Sequence, residues 1–345
     1  MGAIFTSDNQ APVAPQNMDA IQRANSGKAP SYGADEITAR LQPLFAKAFE
    51  TDLRVFPVTT GTAANALALA MLTPPWGTIF CHHESHIATD ECGAPEFHTS
   101  GAKLYLLPGD NGKLAAETLA RCLADIQPGD QHQTQPAVLS LTQVTEAGTV
   151  YRPDEIAALT AIARKHKLYV HMDGARFANA VVSLNSSAAD LSWRAGIDVL
   201  SFGATKNGAL AAEAVVFFNP AQAENFLYRR KRGGHLVSKM RFLSAQLEAY
   251  LENGLWLQLA ANANAQATRL ADGLRAITAV EIVHPVQANE IFAHIPPALI
   301  GPLRDQGFGF HVWGREEEGI IRLVTAFDTR PEEVDAFLAA IRALA

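Results

Sequence analysis

Short runs dense in apolar residues recur along the first two-thirds of the chain, and helical patterns separate several of them. The runs are Thr78 to Cys81, Lys103 to Leu107, Ala137 to Leu141, Leu168 to Met172, Ile197 to Phe202 and Glu213 to Phe218. Between the fourth and its predecessor, Pro153 to Lys167 has a helical pattern with proline suited to a helix start. Alternation of this kind predicts an α/β domain with a mostly parallel sheet. Ligands of such sheets sit at the carboxyl ends of the strands. That rule selects His82, His83 and His86, then Thr142 to Thr145, Asp173 and Lys206.

The remaining chain frames this domain. Residues 1–30 are rich in Asn, Gln, Pro and Ala and read as an N-terminal arm. Asp35 to Glu50 is an amphipathic helix with Ile37, Leu41, Leu44, Phe45 and Ala48 on one face. Arg54 to Val58 is a strand. Ser238 to Leu251, continuing through Trp256 to Ile277, reads as long helix. Strands at Val280 to Val283, Glu290 to Ile295 and Ile320 to Thr325, with helices at Pro297 to Gln306 and Pro331 to Leu344, predict a smaller α+β domain. The expected boundaries are an arm over 1–30 that contributes to the site, a large domain over 31–247 and a small domain over 248–345.

Composition narrows the function classes. With 28 Lys and Arg against 35 Asp and Glu, the net charge of -7 provides no global basic field for nucleic acid or an anionic membrane. The local patch Tyr228-Arg229-Arg230-Lys231-Arg232 reads as a solvated helix end. The apolar stretch Ala63 to Leu72 is too short to span a bilayer. No secretory signal is read at the start, and the loose myristoylation pattern at Met1-Gly2 is discounted. Three cysteines, Cys81, Cys92 and Cys122, cannot all pair and match no zinc spacing, so a reducing, cytoplasmic setting is expected.

Two strand ends carry the chemistry. Lys206 closes the apolar run Ile197 to Phe202 and lies among small residues in Ser201-Phe202-Gly203-Ala204-Thr205-Lys206-Asn207-Gly208. Such a lysine is either solvated or desolvated and nucleophilic enough to form a Schiff base. Asp173 closes Leu168 to Met172. Thr59-Thr60-Gly61-Thr62-Ala63-Ala64-Asn65 joins a strand to an alanine-rich helix, where free N–H groups and the positive helix end form an anion cradle. It is neither G-x-G-x-x-G nor a Walker loop. Lysine, carboxylate and cradle together fit pyridoxal phosphate. The phosphate would rest on Gly61-Thr62-Ala63, Lys206 would hold the aldehyde, and Asp173 would keep the pyridine nitrogen protonated so that the ring acts as an electron sink. Cys81-His82-His83-Glu84-Ser85-His86 has the wrong spacing for H-E-x-x-H, and no metal is expected.

Thr60-Gly61-Thr62-Ala63-Ala64-Asn65, Ser85-His86, His171-Met172-Asp173-Gly174-Ala175-Arg176, Thr205-Lys206 and Arg322-Leu323-Val324-Thr325 resemble the low-specificity L-threonine aldolases. These are fold-type I pyridoxal phosphate enzymes of the β-eliminating lyase group, with an aspartate-aminotransferase-like large domain. The resemblance runs from Ser7-Asp8 to the last helix. Its Asp-Gly-Ala-Arg segment is the most specific piece, and the Lys206 segment looks most like the pseudomonad-type branch, which includes phenylserine aldolases. The resemblance implies Lys206 as the Schiff-base lysine, Asp173 as the partner of the pyridine nitrogen and His86 stacked on the ring. Gly61 and Thr62 become the phosphate turn, with Arg241 a phosphate contact from a neighbouring subunit. Ser7, Arg176 and Arg322 would hold the amino-acid carboxylate, a task that suits the planar guanidinium fork.

The implied reaction is retro-aldol cleavage of a β-hydroxy-α-amino acid to glycine and an aldehyde, by a homo-oligomer, dimer or tetramer, with shared active sites. Many members carry Glu-Asn-Thr-His where this chain has Thr142-Gln143-Val144-Thr145, and that histidine lies near the substrate hydroxyl. Thr145 takes its place beside the substrate but cannot act as a base at neutral pH, so the base is expected to be His86 or a water it positions. A stacking-only His86 stays open. So do another fold-type I enzyme, such as a serine hydroxymethyltransferase, β-eliminating lyase or aminotransferase, and a non-catalytic protein of the same fold.

Overall fold

The apolar runs assemble into one sheet. A computed structural model describes residues 2–345. Its strands are β1 (Arg54–Val58), β2 (Gly77–His82), β3 (Lys103–Leu107), β4 (Gln135–Thr142), β5 (Tyr169–Gly174), β6 (Val199–Gly203) and β7 (Glu213–Phe217), in the order β1-β7-β6-β5-β4-β2-β3. Neighbours from β3 to β6 pair in parallel, whereas β7 runs antiparallel to both β6 and β1. Every residue of β2, β6 and β7 is buried, which accounts for their unbroken apolar character. A second sheet combines β8 (Glu281–Ile282), β9 (Glu290–His294), β10 (His311–Val312) and β11 (Ile320–Val324), all antiparallel, in the order β10-β11-β9-β8. β10 is too short to announce itself by periodicity.

Helix starts follow local chemistry. Asp35 caps the helix Glu36–Phe49, accepting the Thr38 N–H at 2.8 Å. The helix Gly61–Leu72 is buried almost all round, and its alternating alanines let it pack closely beneath β6 and β7. Two expectations need correction. The long helix expected from residue 238 to 277 is two, Arg241–Leu251 and Leu255–Arg275, broken where Asn253 and Gly254 take φ of 53° and 69°. Arg230 is not on a solvated face: it is buried, stacks over the Phe56 ring at 5.5 Å and donates to the Pro57 carbonyl. Burial pushes its guanidinium down to about 10.

The segment read as an arm is folded into the body. Its helix Pro15–Ala24 sets Ala20 and Ala24 against Ala245 and Ala249. Ahead of it, the Phe5 N–H donates to the Gly309 carbonyl at 2.7 Å, and the Val324 N–H donates to the Phe5 carbonyl at 2.8 Å. Among the described residues, no helix is long and apolar enough to cross a membrane.

Phe202 of β6 organises the core behind the strand ends. Its ring meets Phe45 at 5.3 Å, Phe49 at 6.0 Å, Trp256 at 5.7 Å and Tyr250 at 6.0 Å, joining four helical or strand segments at one point. Phe202→Ala is expected to destabilise the protein by about 3–5 kcal/mol through the cavity it leaves, measured as a lower urea midpoint with an unchanged m-value.

Candidate active site

β5 and β6 end side by side because their parallel register opposes Asp173 to Ser201 and Gly174 to Phe202. The approach is tight beyond that point: a Cβ on Gly203 would lie 2.4 Å from the Ala175 carbonyl oxygen. Only glycine fits there. Lys206 follows in a single turn, Thr205–Asn207. That turn is clamped by Asn207, whose side chain donates to the Tyr250 hydroxyl at 2.7 Å and the Trp256 carbonyl at 2.9 Å. From the other side, the Gly208 carbonyl accepts the Ala14 N–H and the Asn17 side chain. Lys206 itself is half-buried and, among the described residues, makes no ion pair.

A cavity of about 280 Å³ opens at these strand ends, lined in part by Thr60, Gly61, Asn65, His86, Asp173 and Lys206. A second, of about 360 Å³, adjoins it and is lined by Ser7, Trp313 and Arg322 among others. At the cradle, Thr60 caps the helix Gly61–Leu72 by accepting the Ala63 N–H at 3.2 Å. The Ala63 N–H is therefore engaged, and the open donors of the first turn are those of Gly61 and Thr62. A Cβ at Gly61 would meet nothing within 4 Å, as expected of a residue facing empty space.

Asp173 is buried. Its Oδ1 accepts the Ala175 N–H at 3.0 Å, and its Oδ2 accepts from the Asn65 side chain at 2.8 Å. The same Asn65 nitrogen donates to Glu91 Oε1 at 2.8 Å, and that oxygen lies 2.9 Å from His86 Nδ1. A chain of contacts thus runs from His86 through Glu91 and Asn65 to Asp173. The hydrogen bond to Glu91 raises the His86 pKa above its ordinary value, against burial. His82 and His83, also at the end of β2, turn away: their rings contact the carbonyls of Gly109 and Leu107.

The carboxylate clamp differs from expectation in one respect. Arg176 already presents its fork to Asp8, Nε to Oδ2 at 2.6 Å and Nη2 to Oδ1 at 2.9 Å, while Nη1 lies 3.1 Å from Glu290 Oε2. Burial would raise the Asp8 pKa, but Arg176 outweighs it and holds the carboxyl below its usual range. Arg322 is freer. Its Nε is buried without a partner among the described residues, and its guanidinium stacks over Trp313 at 5.6 Å.

One further expected residue is not brought to the cavity. Thr145 is fully buried, with its hydroxyl bonded to Thr149 at 2.8 Å; its neighbour Glu146 lines both cavities instead. Arg241, expected to act from a neighbouring subunit, lies outside its own cavity, donating to the Gly27 carbonyl at 3.2 Å. Besides Glu146, the sequence reading missed Asn65, Glu91, Glu213 and Glu290. Glu213 accepts the Ala204 N–H at 3.0 Å, beside Lys206, and burial raises it to about 7. A glutamate opening the apolar strand Glu213–Phe217 was the available signal.

The site has what pyridoxal phosphate requires. There is a lysine free of ion pairs, a buried carboxylate opposite, an open cradle and an unpartnered arginine edge for an amino-acid carboxylate. Comparison with known proteins agrees. Residues 5–297 match the family model for beta-eliminating lyases. A low-specificity L-threonine aldolase from a Pseudomonas species is 43% identical over 99% of this chain and 97% of its own length. One from Pseudomonas aeruginosa is 44% identical over 96% and 94%. Among solved structures, a Leishmania major threonine aldolase superposes with a TM-score of 0.93 at 28% identity, covering 99% of each chain.

Two outcomes test this geometry. Glu91→Gln removes the charge beside His86, so the imidazole pKa should fall by about 1 pH unit, followed by NMR titration of the ring. Asp8→Asn leaves Arg176 buried with one carboxylate less, and should cost about 3 kcal/mol in chemical unfolding.

Proposed function

The chain belongs to the beta-eliminating lyase family, and on that premise we propose that it is a pyridoxal-phosphate-dependent aldolase. It would cleave L-threonine, L-allo-threonine and related β-hydroxy-α-amino acids such as phenylserine to glycine and an aldehyde. One observation carries the reading. Lys206, Asp173, the Gly61 cradle and the unpartnered Nε of Arg322 face one pair of adjoining cavities.

The roles follow from that arrangement. Lys206 would hold the cofactor's aldehyde carbon, Gly61 and Thr62 its phosphate through their N–H groups, and Asp173 its ring nitrogen. When bound, the cofactor supplies an electron sink for the bond that breaks at Cα. Asn65, by donating to Asp173, keeps that carboxylate oriented toward the ring. His86 would stack on the ring face, its angle fixed by Glu91. Arg322 and Ser7 would bind the substrate carboxylate, because the Arg322 Nε edge is open and Ser7 lines the same cavity. Arg176 would supply positive charge, since Asp8 holds its fork and Glu290 its Nη1. Binding the carboxylate at that end points the Cα–Cβ bond toward the cavity junction where Lys206 lies.

The reading extends to a homo-oligomer, dimer or tetramer, in the cytoplasm, with Arg241 of a second copy reaching the phosphate. In its support, this chain's own Arg241 stands away from its own cradle.

Purified protein supplied with pyridoxal phosphate is expected to convert L-threonine, L-allo-threonine and phenylserine, offered separately, into glycine plus the matching aldehyde. Lys206→Ala should lose the yellow absorption band and at least about a thousandfold in kcat. Turnover of another amino acid with none of these three cleaved would assign a different lyase or transferase chemistry.

A further inference from the structure

The two cavities share Asn9, His86, Glu146, Arg176 and Lys206. A substrate held at Arg322 and reacting beside Lys206 would span the two cavities, which brings its Cβ hydroxyl within reach of these shared residues. Two of the five shared residues cannot receive the hydroxyl proton. Arginine stays protonated, and the asparagine amide is not basic. Lys206 would be needed to hold, and afterwards to retake, the cofactor's aldehyde carbon. His86 has Nδ1 tied to the Glu91 carboxylate, which leaves only Nε2 for a proton, and its ring would lie over the cofactor face.

We propose that Glu146 is the base that takes the β-hydroxyl proton during carbon–carbon cleavage, a role that rests on the aldolase reading above. Its Oε1 accepts the His86 N–H at 2.6 Å, which fixes the carboxylate at the junction. Its Oε2 is shielded from bulk water and has no partner among the described residues. One oxygen positions and the other is unpartnered. Burial, then the Asp173 carboxylate, raises Glu146 to about 7, while the His86 N–H and the Thr142 hydroxyl oppose the rise. Arg176, Cys81 and Tyr151 face it from the surrounding elements. A base poised near neutrality suits an alcohol proton.

The step balances. The O–H proton moves to Glu146, the O–H electron pair becomes the aldehyde C=O, and the Cα–Cβ bond breaks with its electrons taken up by the cofactor. Cα then gains one proton to give glycine, matching the one Glu146 received, so the carboxylate is restored with no net proton released.

Glu146→Gln keeps the shape and removes the basicity. In protein without cofactor, carboxyl 13C NMR should show two glutamates titrating near 7, Glu146 and Glu213, in the parent and only that of Glu213 in the variant. In the loaded enzyme, kcat for phenylserine should fall about 10²–10³-fold with KM and glycine binding little changed. The acid limb of the kcat/KM profile near neutral pH should vanish. Glu146→Asp should keep the limb at reduced kcat. A Gln variant with kcat within about threefold of the parent, or with the limb intact, would overturn the assignment; so would one that loses cofactor or glycine binding, which would make Glu146 structural. A parent that cleaves no β-hydroxy-α-amino acid would instead remove the aldolase reading itself.

Discussion

The pairing of β5 with β6 is the constraint on which the site depends. Two buried parallel strands in fixed register bring a carboxylate and a lysine to neighbouring positions without any direct bond between them. The absence of a Cβ at Gly203 lets the backbone after β5 press against the end of β6. Behind the pair, Phe202 turns the same strand's other surface into the centre of an aromatic cluster. One strand thus anchors the core and aims the lysine. The geometry is stiff for the same reason that it is stable, as preorganised chemistry requires.

Around this frame, one residue type is driven in opposite directions. Asp8 and Glu146 are both sheltered acids at the cavity wall. Asp8 meets the fork of Arg176 and is held ionised. Glu146 is pushed up to about 7 by burial and then by the Asp173 carboxylate, against the N–H it accepts. Separation of environments is how one pocket keeps a permanent anion and a proton acceptor together. Glu91 adds a third case: it shares its oxygen between an amide and an imidazole, which links the ring of His86 to the carboxylate that faces the pyridine position.

Much of the fold was legible because apolar strand runs and helix punctuation are local signals. β1 and β3 occupy the expected residues, and the pairing of Asp173 with Lys206 followed from the rule that ligands sit at strand ends. The polar second layer was not legible. Asn65 matters because it touches Glu91 and Asp173, 26 and 108 positions away, and no periodicity reports such contacts. Thr145 turns into the protein against Thr149, and the next residue, Glu146, emerges at the cavity wall. The helix within the N-terminal arm was not legible for another reason. It buries small alanines, which leave little hydrophobic pattern.

That segment has a consequence for how the molecule comes into being. Phe5 exchanges backbone hydrogen bonds with Gly309 and Val324, and Asp8 grips Arg176. Residues synthesised among the first must wait for those synthesised among the last. A ribosome-bound chain can complete its large sheet and still have an open pocket, because the wall bearing Ser7 and Arg322 needs both ends of the polypeptide. Long-range closure of this kind is slow and late. The wall bearing Ser7 and Arg322 therefore closes only once segments far apart in the sequence have met.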